Sequence, residues 1–315
     1  MVDDPNDVYA SGTLGAFLIQ QKRWALVSRL RKKFIARSVR RANDSDFLQN
    51  AIRMFDPDCL IRRRQGDAPV NAPDARKQAR TKIADSSVIV FSCDQKYWNA
   101  FSERAIQSLW RFNPNQIVHV HIVFPDSTCI SSLHEMCSKN GGRFNFSYEE
   151  PSNDHLICAL PGERAKVYFA SSRLFIARRK ADAYRRSLLL FDIDAVFLRP
   201  FGALFKQLHE TEVTVLHFPN STPLFEFGAG LVYINYSDVG LRFLDDLASH
   251  VEICVRRGDG HWFLDQVALY LAFYSRNQIE SGVSPMRFAR IGQFIHIARI
   301  FTGRNTLEAE LADIA

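Results

Sequence analysis

The chain has 315 residues, 47% of them hydrophobic and only 15 of them glycine, enough to bury one large core or one core with a small appendage, which excludes global disorder. No apolar run approaches the ~18 residues of a membrane span. The start, with Asp3, Asp4, Asp7 and a short apolar patch over 14–19, lacks the basic region and long apolar stretch of a secretory signal.

The net charge of +6 is uneven, because residues 1–83 hold 17 Lys and Arg against 9 Asp and Glu and the remainder is near neutral. Six cysteines (Cys59, Cys93, Cys129, Cys137, Cys158 and Cys254) show no Cys-x-x-Cys spacing. Neither a zinc site nor a disulfide framework is expected, and the absence of a signal points to the cytoplasm.

Between Lys22 and Arg41 nine basic residues and no acidic one accompany Trp24, Val27, Leu30, Phe34 and Ile35, whose spacing predicts a helix with an apolar stripe. Such a helix either packs on the main body with its charges in water or lies against anionic lipid head groups, here at the inner membrane face. No nucleic-acid partner is expected. Two prolines and several turn formers over 66–74 predict a linker. The expected division is a basic helical extension and linker over 1–83 and a main domain over 84–315.

Beyond the linker, strands are predicted at 87–92, 117–124, 143–147, 187–191, 213–217, 230–235 and 294–297. Helices are predicted at 98–112, 133–138, 165–180, 238–254 and 261–274. This alternation predicts an α/β fold, a Rossmann-like and mostly parallel sheet flanked by helices, whose ligands collect at the carboxyl ends of the strands. No internal repeat and no Gly-x-Gly-x-x-Gly loop is present.

The segment Leu188-Leu189-Leu190-Phe191-Asp192-Ile193-Asp194 sets two carboxylates directly after a run that needs a dry environment. In an extended backbone alternate side chains share a face, so Asp192 and Asp194 would aim at one point past the strand. Two adjacent carboxylates repel, and Mn²⁺ or Mg²⁺ relieves that repulsion while leaving positions for water and phosphate oxygens. The bland alternative is a turn cap beside a solvated acid. The string also resembles the first motif of haloacid-dehalogenase-type phosphatases, with a nucleophilic and a general-acid Asp. Those enzymes need a later acidic pair at a strand end, and the later pair here, Asp245-Asp246, sits in a predicted amphipathic helix.

Other segments fall into an order around this pair. Ser92-Cys93-Asp94-Gln95-Lys96-Tyr97 ends the first strand; Asp94 can accept hydrogen bonds and Tyr97 offers a flat surface, although Asp94 equally suits a turn cap. Lys166 and Arg173 lie seven apart on the helix before the acidic pair and share one face. A guanidinium suits phosphate oxygens, a solvent role is the plainer reading of Lys166, and Arg178, Arg179 and Lys180 read as a solvated last turn. Gly228, Ala229 and Gly230 let a backbone come close to a ligand, or simply turn into a strand. Asp265-Gln266 opens a helix, where an acid also suits the dipole. His296 stands among apolar residues, as a core histidine also would, upstream of Gly303-Arg304.

From 87 to about 304, this order resembles the glycogenin-like and lipopolysaccharide-galactosyltransferase-like family of GT-A nucleotide-diphospho-sugar transferases. The resemblance implies a GT-A fold and transfer of a hexose from a UDP-sugar donor to a glycan, lipid-linked or protein acceptor, with retention at the anomeric carbon. It implies metal ligation by Asp192, Asp194 and His296. Asp94, Tyr97, Lys166, Arg173, Ile193, Gly228, Ala229, Gly230 and Arg304 are the implied donor-binding residues, and Asp265, Gln266 and Arg173 the implied catalytic ones. The chain departs from the family in having Gly228 where Asn is common and Arg304-Asn305 where Lys-Pro-Trp is common. A phosphatase, or a nucleotide-sugar-binding protein without activity, is the alternative reading.

Overall fold

The computed structural model describes residues 8–38, 54, 87–152, 165–218, 226–261, 263–275, 283–287 and 295–297. Its centre is a seven-stranded sheet of order β3-β2-β1-β4-β7-β6-β8, built from β1 (Val88–Asp94), β2 (Ile117–Val123), β3 (Phe144–Glu149), β4 (Leu188–Phe191), β6 (Val213–His217), β7 (Phe227–Ile234) and β8 (Val283–Arg287). Within this sheet, among the described strands, only β7 runs antiparallel to its neighbours. A short antiparallel pair, β5 (Ala195–Phe197) with β9 (Ile295–Ile297), stands apart from it.

Helices cover both faces, which is why β1 and β4 read as unbroken apolar runs instead of alternating ones. On one face Val88, Val90, Leu188 and Leu190 pack with α5 (Ala165–Tyr184), α7 (Asp238–Arg256) and α8 (Leu264–Ser275). On the other, Ile89, Phe91, Leu189 and Phe191 meet α3 (Gln95–Phe112), α4 (Ser127–Asn140) and α6 (Gly202–Leu208). Asp94, Asp126 and Ser237 cap α3, α4 and α7 by accepting backbone N–H bonds, as short polar side chains do at helix starts.

The first two helices, α1 (Val8–Gln20) and α2 (Trp24–Ser38), form a hairpin that joins the same core. The turn between them closes with Arg23 N–H on the Leu18 carbonyl and Lys22 N–H on the Ile19 carbonyl, at 2.8 and 2.9 Å, and Lys22 takes the left-handed position that glycine usually fills. Ala16, Ile19 and Val27 are buried, the Tyr270 hydroxyl donates to the Ala16 carbonyl, and Arg31 pairs with Asp259. The described part of the basic segment therefore packs on the main body. The linker over 66–74 and the expected boundary at 83 lie outside the described residues.

The expected α/β sheet is present, with differences of detail. Strand β7 starts at Phe227, ahead of the expected 230, because Gly228 pairs with Leu216 while Val232 pairs with Val215. That register leaves 229–231 as a bulge beside the end of β4. Helix α5 continues to Tyr184, so Arg178, Arg179 and Lys180 lie inside it and are not a solvated last turn. Arg178 instead bridges Asp182 and Asp245, Arg179 reaches Glu149, and Lys180 is half-buried. The elements α1, β5, α6 and β8 are additional to those expected.

Gly240, in the first turn of α7, donates its N–H to Ser237 Oγ, and a Cβ there would stand 2.1 Å from the Asn235 carbonyl oxygen. Gly240→Ala should therefore destabilise the protein by about 1–3 kcal/mol, despite the better helix propensity of alanine, because backbone cannot step aside as a side chain can. Urea unfolding at constant m-value is the check.

Candidate active site

The order of strands reverses between β1 and β4: the chain leaves β1 toward β2 and β3, and leaves β4 toward β6 and β7. Crossovers diverging from two neighbouring strands open a crevice at their carboxyl ends, and both ends here carry acids. Asp94 closes β1, and Asp192 and Asp194 follow β4. The two ends are close enough that Asp94 and Asp194 both add to the upward shift of the Cys93 thiol, whose main cause is burial.

The acidic pair does not lie on extended backbone as expected. Ala195 N–H bonds the Asp192 carbonyl at 3.1 Å, so 192–195 is a tight turn that hands the chain from β4 to β5. Ile193 is buried in the core with Phe191 and Phe197, which anchors the turn and leaves no Ile193 side chain for a ligand. The two carboxylates remain near enough to influence each other. Burial first, and the neighbouring Asp192 charge second, push the Asp194 carboxyl up to about 7.

Arg173 holds this turn from the side. It projects from α5, is 2% exposed, donates from Nη1 to Asp192 Oδ1 and from Nη2 to Asp265 Oδ2, the latter at 2.7 Å. A guanidinium taken out of water needs fixed anions, and two elements supply them to the cation of α5: the β4–β5 turn and α8. Asp265 lies in the first turn of α8, where its Oδ1 also accepts the Gln266 N–H at 2.9 Å. Burial raises its pKa and Arg173 opposes the rise. Just before it, Phe263 has φ 70°, a left-handed conformation that a bulky residue seldom adopts and that concentrates at working sites.

One arginine facing three acids leaves two negative charges in excess when all are ionised, and Asp194 Oδ1 is buried with no hydrogen-bond partner among the described residues. Oxygen donors, surplus negative charge and an unsatisfied buried carboxylate oxygen fit a hard divalent cation such as Mn²⁺ or Mg²⁺. No group of three or more His, Cys, Asp or Glu side chains gathers at one point among the described residues. His296 lies in β9 paired opposite Val196, two residues beyond Asp194, so its backbone runs beside the acidic turn. Arg304 lies outside the described residues.

The remaining expected residues divide. Asp94 Oδ1 accepts the Tyr97 N–H at 2.7 Å, so the cap is real, and the Tyr97 ring packs on Phe101. Gly228, Ala229 and Gly230 are buried in the first half of β7, which runs past the end of β4; a Cβ at Gly228 would meet the Phe218 ring at 2.7 Å. Lys166 is exposed on the first turn of α5. Gln266 is half-buried beside Asp265. The pair Asp245-Asp246 lies inside α7, where Asp245 binds Arg178 as a link between helices and not as a strand-end acid pair. Ser92 and Ser172, given no role in the sequence reading, share a buried 2.7 Å hydrogen bond that ties α5 to β1 one residue before Arg173. A serine in each of two buried apolar segments, one strand and one helix, was the available signal.

No family description and no curated protein matches the chain. Among solved structures it is similar to the galactosyltransferase LgtC in complex with donor and acceptor sugar analogues, at 19% identity and a TM-score of 0.46 over 63% of this chain and 72% of that one. It is also similar to the glycosyltransferase GlyE of Streptococcus pneumoniae, at 16% identity and a TM-score of 0.42 over 64% and 45% of the two chains. A third similar structure is mouse xyloside xylosyltransferase 1, at 10% identity and a TM-score of 0.40 over 64% and 84%.

Two stability effects follow from the charge arrangement. The folded state holds the Asp194 proton more tightly than the unfolded chain, so in metal-free protein this group costs stability as pH rises from about 4 toward 7, and the loss persists above. Asp194→Asn should raise the melting temperature of metal-free protein at pH 8 and leave it nearly unchanged at pH 4. Arg173→Met, which strands buried acids, should lower stability by about 3–5 kcal/mol at pH 8. Thermal and urea unfolding across this pH range reads out both.

Proposed function

We propose that this protein is a metal-dependent GT-A glycosyltransferase that moves a hexose from a UDP-sugar to a glycan, lipid-linked or protein acceptor with retention. The observation that carries the reading is the Asp192–Asp194 turn at the strand-order reversal, where a buried, unsatisfied carboxylate oxygen stands next to an arginine already held by two acids. A site for a neutral ligand would have no use for so much opposed charge. The order of motifs from Asp94 to Arg304 supports the same reading.

In this proposal Asp192 and Asp194, with His296 as third ligand, would hold Mn²⁺ or Mg²⁺. When bound, the ion supplies Lewis-acid neutralisation of the diphosphate as the bond from the sugar C1 to the leaving oxygen breaks. Arg173 contributes a second positive group that is already oriented by Asp192 and Asp265, so little reorganisation is needed when negative charge develops on departing UDP. Asp265 retains carboxylate capacity to accept from sugar hydroxyls, and Gln266 stands next to it along α8. Gly228 and the bulge at 229–231 that follows it, with Gly230, let backbone approach the sugar. Asp94 and Tyr97 at the end of β1 take the nucleoside, and Lys166 and Arg304 add positive charge for the diphosphate. The acceptor oxygen would form the new bond to C1 as the bond from C1 to UDP breaks, and its proton would pass to the departing diphosphate oxygen.

A thermal-shift screen of nucleoside diphosphates and their sugars tests this directly. Mn²⁺ with UDP or a UDP-hexose should raise the melting temperature well above either component alone, since only ligands of the native state stabilise it. Asp194→Asn should abolish that rise together with metal-dependent donor hydrolysis. A variant with wild-type turnover removes the assignment.

A further inference from the structure

The α1–α2 hairpin carries a surface that glycosyl transfer does not need. On α1, Ala16 and Ile19 face the core, while Leu14 and Phe17 keep 37% and 54% of their surface exposed. Leu14, Phe17 and Gln21 follow a spacing of three and four, so they share one side of the helix and its end. The chain then turns through exposed Lys22 and Arg23 into α2, whose exposed positions Ala25, Arg29 and Lys32 follow the same spacing. No acidic residue occurs anywhere from Val8 to Arg41, across both helices and the turn between them.

We infer that this hairpin docks the protein on an anionic lipid surface. The occupant is set by two features together. A run with positive and no negative charge selects an anionic partner, and exposed Phe and Leu on a helix beside it select one with an apolar layer just below its charges. A nucleic acid would account for the arginines and lysines and not for Leu14 and Phe17. None of the described helices is long and apolar enough to cross a membrane, so contact is from the side.

The hairpin is built to transmit that contact to the body of the protein. Arg31 binds Asp259 at 3.1 Å in the segment between α7 and α8. The Tyr270 hydroxyl bonds the Ala16 carbonyl at 3.1 Å, and the Tyr270 and Tyr274 rings pack together at 4.8 Å. Tyr274 in turn donates to Glu226, which His217 also engages at 3.0 Å where β6 ends and β7 begins. This is the same end of the sheet as the acidic turn. A hairpin seated on lipid would thus hold that rim at a fixed position near the surface. The inference goes beyond the transferase reading and stands without it.

Cosedimentation of the full chain with vesicles tests it. The protein should bind phosphatidylcholine vesicles containing about one-third phosphatidylglycerol, bind pure phosphatidylcholine far less, and dissociate as salt is raised to about 1 M. Each basic residue near such a surface is worth about five-fold in partitioning, so R29E with K32E should weaken binding by at least about 20-fold. L14S with F17S should weaken it several-fold at constant charge, with both variants still folding cooperatively and the melting temperature of L14S with F17S lowered modestly, because those two side chains are about half exposed. Binding that is equal for wild type and both variants overturns the inference. So does tighter binding to a single-stranded oligonucleotide that R29E with K32E abolishes and L14S with F17S leaves intact.

Discussion

The site depends on one buried cation. Arg173 sits in the helical layer with almost no contact with water, and it is tolerated there only because Asp192 and Asp265 reach it from two different elements. A guanidinium presents donors in a fixed fork, so the two carboxylates must arrive along set directions. That requirement ties the position of the β4–β5 turn to the start of α8, segments more than seventy residues apart. The Ser92–Ser172 hydrogen bond, one residue away, fixes α5 against β1 and keeps the fork from sliding. Removing the ion pairs would therefore loosen three elements at once.

The surplus of acid over base is the chemically informative part. Asp192 and Asp265 engage the two terminal nitrogens of the arginine, and Asp194 is left with a buried oxygen that nothing among the described residues satisfies. A protein gains no stability from such a group. Native chains keep costly buried charge where function draws on it, and a divalent cation bound to oxygen ligands is the partner that would turn the cost into a gain. The sheet supplies the place: the crevice where crossovers diverge from β1 and β4 opens at the ends that carry Asp94 and the acidic turn.

Much of this was legible in the sequence, and the parts that were not have physical reasons. The apolar runs of β1 and β4 need two covered faces, so their length alone marked central strands. The distinctive order of short motifs led to Arg173, Asp192, Asp194 and Asp265, four residues that the fold does bring together. Extended geometry over 192–194 was wrong because Ile193 is pulled into the core and closes a turn, a tertiary preference that alternation of side chains does not reveal. Strand β7 began earlier than expected because a bulge lets Gly228 and Gly230 sit inside a strand, where glycine normally argues against one. The short strands β5 and β8 and the two-turn helix α6 carry too little periodicity to be distinguished from loops. The extent of α5 was missed because Arg178, Arg179 and Lys180 look like a solvated end, whereas Asp182, Asp245 and Glu149 meet two of them along a helix that continues.

The central claim is that Asp192 and Asp194 together grip one divalent cation. Anomalous scattering from crystals grown with Mn²⁺ and UDP measures this directly. The account predicts a single strong manganese peak in contact with carboxylate oxygens of both Asp192 and Asp194 and with diphosphate oxygens. Manganese bound elsewhere, with both side chains turned away from it, would contradict the account.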